Sequence, residues 1–494
     1  MRRGNDGAMH DTRDRRRHAA ILTAATCALA FALPCRAADL ASDVRSLVAD
    51  YEAENKGRAA VSVVDLASGC SSVDFRSDRL SIPASNQKLL TSAFILARFG
   101  PGYEFTTSVY QRGDDLIVVG GHDPLLGDPK IARRTDTSIY AELDRWAEAV
   151  KDATGGKLAG DILLAGPAER ESRRHPDWPE DQHNRDYAAP VGALNYHNNC
   201  IEVSFESDGR TARPVLSPRS RHIRVKSTVR PGKRNVWSMR TSEDDSLVTL
   251  GGTMTGEKTW PLAVPVDRPA LLLGRVLADR LAEAGVDFDG DVRAVPPLEA
   301  DDDEMKLILA TRTPLSAVLR RTNKDSVNMA AEAMLLAAGD GTWAGSAEIM
   351  ERTLGEAFGI EEDDLRVADG SGLSRNNRVT PRAMTTVLYH LSGGRAGELV
   401  LEGLPTSGVD GTLRKRLRGP GCKGRVKAKT GYIRGVSCLS GYVLDEKGGP
   451  AYAFSVMVNH VAPGKAWKAK QLQDAVCRAV LRHHARAGDP EPLP

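Results

Sequence analysis

Pro83-Ala84-Ser85-Asn86-Gln87-Lys88-Leu89-Leu90-Thr91-Ser92-Ala93-Phe94 is the stretch on which the reading of this 494-residue chain turns. A proline at its start is preorganised for a first helical turn, and Leu89, Leu90, Ala93, Phe94 and Ala97 recur as one apolar helical face. Gly100-Pro101-Gly102 ends that helix. Ser85 and Lys88, at i and i+3, share a face, so the amine can reach the hydroxyl. Serine is a weak nucleophile until a neighbour takes its proton, and a lysine desolvated enough to be neutral can do so. Ser85 is the only serine here followed by lysine three residues later.

Two elements further along the chain make that pair specific. Ser326-Val327-Asn328 lies between helical stretches, and Lys429-Thr430-Gly431 lies on a strand whose glycine leaves its backbone open to close approach. S-x-x-K, S-x-N and K-T-G in this order form an active-serine signature of acyl transfer from β-lactams or D-alanyl peptides to the serine oxygen. Ser374-Arg375-Asn376 offers a competing S-x-N, but it sits in a glycine-rich loop, whereas Ser326 precedes the helical Met329-Ala330-Ala331-Glu332.

Composition bounds what surrounds these motifs. The chain is 41% apolar and 27% charged, with a mean hydropathy of −0.33, which excludes a multi-span membrane protein and a wholly disordered one. Its length suggests two to four domains. The net charge of +2 gives no reason to expect a nucleic-acid partner. Residues 1–37 hold seven arginines against three aspartates, so the remainder stands at −2. A basic run from Arg13 to His18, an apolar run from Ala19 to Leu33 and small residues at Ala37-Ala38 read as a signal peptide over 1–38. Export follows, and peripheral membrane association is compatible with it.

Strands are expected at 59–65, 115–119, 162–165, 201–205, 248–250, 426–429, 437–444 and 451–459, and helices at 41–51, 315–322, 327–338, 344–358 and 468–483. The middle, 105–299, reads as an inserted β-rich region. Its basic tract Arg213–Arg234 alternates like a solvated strand face, and the acidic run Glu299–Glu304 marks a junction. Beyond the leader, five cysteines remain without a C-x-x-C pair. They read as buried thiols or as one or two disulfides, of which Cys422–Cys438 is the pair to test. His122-Asp123 and His483-His484 lack the partner spacing of a metal site and read as a turn and as solvent-exposed, so no metal and no cofactor is expected.

Further stretches carry a resemblance: Gly120-Gly121-His122-Asp123-Pro124, Tyr187–Asn195, Asp369–Arg375, Gly408–Leu413 and Leu439-Ser440-Gly441-Tyr442. With the three motifs, they make the chain resemble the low-molecular-mass class C penicillin-binding proteins, exported serine-type D-alanyl-D-alanine carboxypeptidase/endopeptidases of peptidoglycan. The resemblance covers nearly all of the chain beyond the leader. It implies an α+β penicillin-binding, β-lactamase-like domain, an antiparallel sheet flanked by helices, assembled from 39–104 and 300–494 around a two-part insertion at 105–299. It implies Ser85 as nucleophile, Lys88 as its base, Ser326 as proton relay, Asn328 as amide ligand and Lys429 beside them. Thr430, Gly431 and Tyr432 would bind substrate, Tyr432 through its N–H in the oxyanion hole. Arg375 would shape the site, and Trp178, Asp181 and Tyr187 would meet the amine end of the stem peptide, unless Trp178 and Tyr187 simply pack a small core. Peptidoglycan stem peptides and β-lactam antibiotics are the implied partners. Tyr432 and Arg434 depart from the small or uncharged residues usual in the family after the third motif. A β-lactamase or esterase of the same superfamily, or a receptor that binds penicillin without turnover, are the rival readings.

Overall fold

Nine consecutive residues, Val436–Leu444, are buried on both sides, as befits the inner strand of a sheet covered on two faces. That strand lies in a five-stranded antiparallel sheet of order 426–433, 436–444, 450–459, 58–65, 71–75. The computed structural model describes residues 34–166, 173–298 and 304–488. Most of the leader, including its apolar run, lies outside them, as does the acidic run except Glu304. Arg58–Asp65 pairs with Pro450–Asn459 from Arg58 opposite Asn459 to Asp65 opposite Tyr452, so the two ends of the chain build one unit.

Alternation along the strands feeds two cores. Leu439, Val443, Phe454, Val456, Val61 and Val63 face the helices Pro34–Glu54 and Ala466–Gly488, which contribute Leu40, Val44, Val48, Leu472, Val476 and Val480. Cys438, Tyr442, Ala453 and Met457 face the opposite way, toward Gln87–Phe99, Asn328–Ala338, Trp343–Phe358 and Pro381–His390. The result is an α+β sandwich with helices on both faces of an antiparallel sheet. Helix Gln87–Phe99 ends at Gly100, whose φ of 77° is one that glycine tolerates best.

Most expected elements are present with longer bounds, but the middle differs. It holds a mixed five-stranded sheet of order 292–295, 162–165, 115–119, 104–112, 306–314, whose last strand comes from beyond residue 299, and three smaller sheets, one of which includes 224–227, whose four residues are all exposed. It also holds three helices that the β-rich reading overlooked, Pro129–Thr135, Ala141–Thr154 and Pro269–Glu283. Ala141–Thr154 buries Leu143, Trp146, Ala147 and Val150, an i, i+3, i+4, i+7 stripe legible in the sequence. Strand Lys306–Pro314 was missed for the opposite reason. None of its residues is fully buried, and its pairing with Glu104–Arg112 comes from the partner strand.

The cysteine expectation is corrected. Cys438 sits in the core on one face of the main sheet and Cys422 in the core on the other, too separated to be bridged, and both are free thiols. Cys200 and Cys477 are buried and free, and Cys70 is exposed. His483 and His484 are half-buried with their rings edge-on to Tyr452, rather than solvent-exposed. Asp123 accepts from the N–H of Leu125 and the hydroxyl of Thr313, holding a turn. Among the described residues no helix is long and apolar enough to cross a membrane.

The middle segment is tied to helix Leu315–Asp325 by a buried ion pair. Arg321 donates Nε to Asp128 Oδ2 at 2.7 Å, and Asp128 also caps Pro129–Thr135 through the N–H groups of Lys130 and Ile131. Arg321→Ala strands a carboxylate with no exposed surface and should cost about 3–5 kcal/mol in urea unfolding. Exposed Arg320→Ala should change stability by less than about 0.5 kcal/mol. Equal effects would show that the ion pair does not hold the segments together.

Candidate active site

Ala84 has φ of +46° although it is not glycine and is fully buried, a strained conformation of the kind that collects at functional sites. It opens a 3₁₀ turn, Ala84–Asn86, that runs into helix Gln87–Phe99 and leaves Ser85 half-buried at the helix start. Two glycines let other segments crowd this turn. A Cβ on Gly372, itself at φ +82°, would lie 1.9 Å from the Ala84 carbonyl, and one on Gly431 would lie 2.6 Å from the Pro83 carbonyl. Gly431 therefore makes room for the chain's own backbone at this turn.

Lys88 is fully buried one turn beyond Ser85. Its Nζ lies 3.2 Å from Ser85 Oγ, 2.7 Å from Asn328 Oδ1 and 2.7 Å from the Ser371 carbonyl. Burial lowers its pKa to about 8, against the opposing pull of Glu332 and Asp369. Lys429, also fully buried, donates to Ser326 Oγ and to the Thr430 carbonyl, each at 2.8 Å. Burial pushes its amine well below the usual range, and the nearby Lys88 adds to this.

Helix Leu315–Asp325 ends in Ser326 at φ +60°, which turns the chain so that Asn328 starts the next helix. Asn328 takes Lys88 on its carbonyl oxygen and donates its amide to the Tyr187 carbonyl at 2.8 Å. One turn on, Glu332 is completely buried, and its two oxygens accept the N–H groups of Gly370 (2.7 Å) and Ser371 (2.8 Å). Burial raises its carboxyl to about 8. Asp369 accepts from the N–H groups of Gly372 and Ser374, from Asn377 and from Trp178 Nε1.

The structure thus brings together Ser85, Lys88, Ser326, Asn328, Lys429 and Thr430, the last donating to Thr412 Oγ1 at 2.9 Å. Ser326 meets Lys429. The competing Ser374 instead donates to Asp177 Oδ2 at 2.8 Å, and Asn376 joins it there. Arg375 donates to the Arg434 carbonyl at 2.8 Å across the mouth of the strand pair, and Tyr432 is 59% exposed there, under the Lys470 ammonium. The hydrogen-bonded cluster does not reach Asp181, which lies exposed on the turn Glu180–Gln182. Of the two readings of Trp178 the structure matches the packed core: it is 2% exposed, packed on Trp343, and its N–H is spent on Asp369. Tyr187 is exposed, and its carbonyl, not its ring, enters the cluster.

Glu332, Asp369 and Thr412 were not singled out individually from sequence. Glu332 did leave a signal, a lone carboxylate four residues after Asn328 on the otherwise apolar Asn-Met-Ala-Ala-Glu-Ala-Met-Leu-Leu. Among the described residues no group of three metal-ligating side chains occurs. The geometry is suited to covalent chemistry at a serine hydroxyl beside a desolvated amine, with a second amine and hydroxyl alongside.

Comparison with known proteins agrees. The model of the D-Ala-D-Ala carboxypeptidase 3 (S13) family matches residues 40–479. A D-alanyl-D-alanine carboxypeptidase of Actinomadura sp. (strain R39) is 31% identical over 489 residues, 92% of this chain and 87% of that protein. The D-alanyl-D-alanine carboxypeptidase DacB of Haemophilus influenzae is 25% identical over 410 residues, 79% of this chain and 83% of that one. The crystal structure of penicillin binding protein 4 (DacB) from the same organism superimposes with a TM-score of 0.72 at 21% identity, covering 88% of this chain and 99% of that one, and so shares the fold. A structure of that protein complexed with a β-lactam gives a TM-score of 0.68 at 22% identity. With the family matched along nearly its whole length, the chain belongs to the D-Ala-D-Ala carboxypeptidase 3 (S13) family, the serine-type D-alanyl-D-alanine carboxypeptidases.

Proposed function

We propose that this protein removes the terminal D-alanine of peptidoglycan stem peptides through an acyl-enzyme on Ser85, and that β-lactams acylate the same oxygen. The observation that carries this is the fully buried Lys88 amine, 3.2 Å from Ser85 Oγ and with its pKa lowered to about 8. Near neutrality a useful fraction of such an amine is a free base. Ser85 Oγ attacks the carbonyl between the two D-alanines as Lys88 takes the hydroxyl proton, and the N–H groups of Ser85 and Tyr432 receive the oxyanion. The C–N bond breaks as Ser326 relays the proton taken by Lys88 to the departing amine, and water then cleaves the acyl ester and returns Ser85 its proton. Lys429 and Thr430, with Thr412 bonded to the latter, offer an amine and hydroxyls to the substrate carboxylate, whose own charge draws the amine toward its ammonium form.

Asn328 accepts Lys88 on its oxygen and gives one N–H to the Tyr187 carbonyl, so its second N–H is the donor it can offer to substrate. A cavity of about 220 Å³ bordered by Tyr187, Ser326 and Asn328 leads into the middle segment, with Lys130 and Asp186 on its walls. It gives the charged upstream residues of a stem peptide a place to lie. The leader at 1–38 fits a site of action outside the cytoplasm.

Intact-mass spectrometry of the protein incubated with benzylpenicillin tests the reading. One stable adduct on the Ser85 peptide is expected, with none in Ser85→Ala. Lys88→Ala should slow its formation about 10²- to 10⁴-fold. Penicillin consumed without an adduct would indicate a β-lactamase, and penicillin untouched would sink the assignment. The wild-type acylation rate should rise with pH through about 8, since Lys88 is protonated and idle below that value and a free base above it. A rate flat from pH 6.5 to 9.5 would remove Lys88 from the role of base. Gly372→Ala, which drives a methyl into the Ala84 carbonyl, should cost about 10²-fold in acylation by displacing Ser85, read in the same assay.

A further inference from the structure

Glu332 is a fully buried carboxylate to which the reaction above gives no role, although it bonds the turn that meets Lys88. It projects from Asn328–Ala338, a helix otherwise apolar after its first residue, and neither of its oxygens reaches solvent-facing partners. Both oxygens accept backbone N–H groups, those of Gly370 and Ser371. The two backbone donors favour the ionised form and burial opposes it, so the carboxylate clamps the turn most firmly in the upper part of the pH range, where the carboxyl has lost its proton. The same turn is held from the other side by Thr91, whose hydroxyl donates to the Gly370 carbonyl at 2.7 Å. Gripped at both ends, the turn directs the Ser371 carbonyl at Lys88 Nζ, 2.7 Å away.

That carbonyl decides where the lysine lone pair points. A neutral amine has two N–H bonds and one lone pair. The two short contacts, to Asn328 Oδ1 and the Ser371 carbonyl, take both N–H bonds. The lone pair is left facing Ser85 Oγ at 3.2 Å, which is the orientation proton abstraction needs. When Lys88 is an ammonium instead, its third N–H points at Ser85, and its charge is faced by Glu332 and Asp369 as anions and by Lys429 as a cation.

We propose that Glu332 is a positioning residue for Lys88: its carboxylate clamps the 369–372 turn so that the Ser371 carbonyl orients the lysine lone pair toward Ser85, and its charge sets the pH at which Lys88 becomes a base. The proposal rests on the acyl-serine reading of the site. Removing the negative charge withdraws attraction from the ammonium, so Lys88 would lose its proton at a lower pH, while releasing the clamp would slow the chemistry itself.

Benzylpenicillin acylation rates of the full mature chain, measured from pH 5.5 to 9.5 for wild type, Glu332→Gln and Glu332→Asp, test both parts. Glu332→Gln keeps the volume but turns an amide N–H₂ against one of the two backbone donors. Its plateau rate should fall at least about tenfold and the rising limb should move to lower pH by about one unit. Glu332→Asp keeps the charge but draws it back from the turn, so its rate should fall with the limb left near the wild-type pH. A Glu332→Gln profile that superimposes on wild type overturns the proposal, and so does a slower folded variant whose limb has not moved. Should Glu332→Gln fail to fold, Glu332→Asp at the wild-type plateau rate overturns the clamp. Wild type that never acylates overturns the acyl-serine reading instead, which separates that failure from this one.

Discussion

Two lysine amines with no exposed surface, Lys88 and Lys429, meet the hydroxyls of Ser85 and Ser326, and the rest of the structure answers to that constraint. Taking an ammonium out of water costs several kcal/mol even after relaxation, so each must be met by acceptors or become neutral. The molecule does both. Lys88 has three oxygens within reach and two carboxylates close by, whereas Lys429 has a hydroxyl and a carbonyl and the repulsion of Lys88. The more lightly compensated lysine is the one pushed well below its usual range. Burial alone would not distinguish them; the placement of Glu332 and Asp369 beside Lys88 does.

Such burial needs walls on every side, which explains why the site draws on segments remote in sequence. Residues 85–88 lie at the start of a helix, 326–328 at the junction of two others, 369–374 in a loop, and 429–432 on the edge strand of the main sheet. The edge strand carries Lys429 beside the nucleophile turn only because the strands of the chain's end continue the sheet that its beginning starts. Close approach is then a backbone problem, solved at Gly372 and Gly431, where any side chain would collide with the carbonyls of Ala84 and Pro83.

Much of this was legible in the sequence. Each of the three motifs marks its own segment by residue type and spacing, and the run Val436–Leu444 beside the third reads as a strand. What escaped has a common physical form: it depends on a partner that lies elsewhere in the sequence. Ala84 adopts a positive φ that no propensity favours for alanine, because the turn is held by its neighbours. Lys306–Pro314 has no buried stripe of its own and becomes a strand against Glu104–Arg112. Trp178 looks like a ligand for a peptide end until Asp369 is seen to take its N–H. Helix Ala141–Thr154 is the exception, since its apolar spacing was present and was outweighed by the short β-like runs around it.

Those remote partners also join recognition to chemistry. The middle segment reaches the base through Tyr187, whose carbonyl holds the Asn328 amide while the same amide's oxygen holds Lys88. It reaches the loop at 369–374 twice more, through Trp178 on Asp369 and Asp177 on Ser374. A ligand that displaced the Tyr187 carbonyl would therefore free the Asn328 amide next to the acceptor that fixes Lys88, and would load a loop whose carbonyl fixes it as well. Because the lysine is oriented by just these two contacts besides Ser85, occupancy of the middle segment and the aim of the base cannot be set independently. On the acyl-serine reading proposed above, binding energy gathered in the middle segment would thus have a short, hydrogen-bonded route to Lys88 and Ser85.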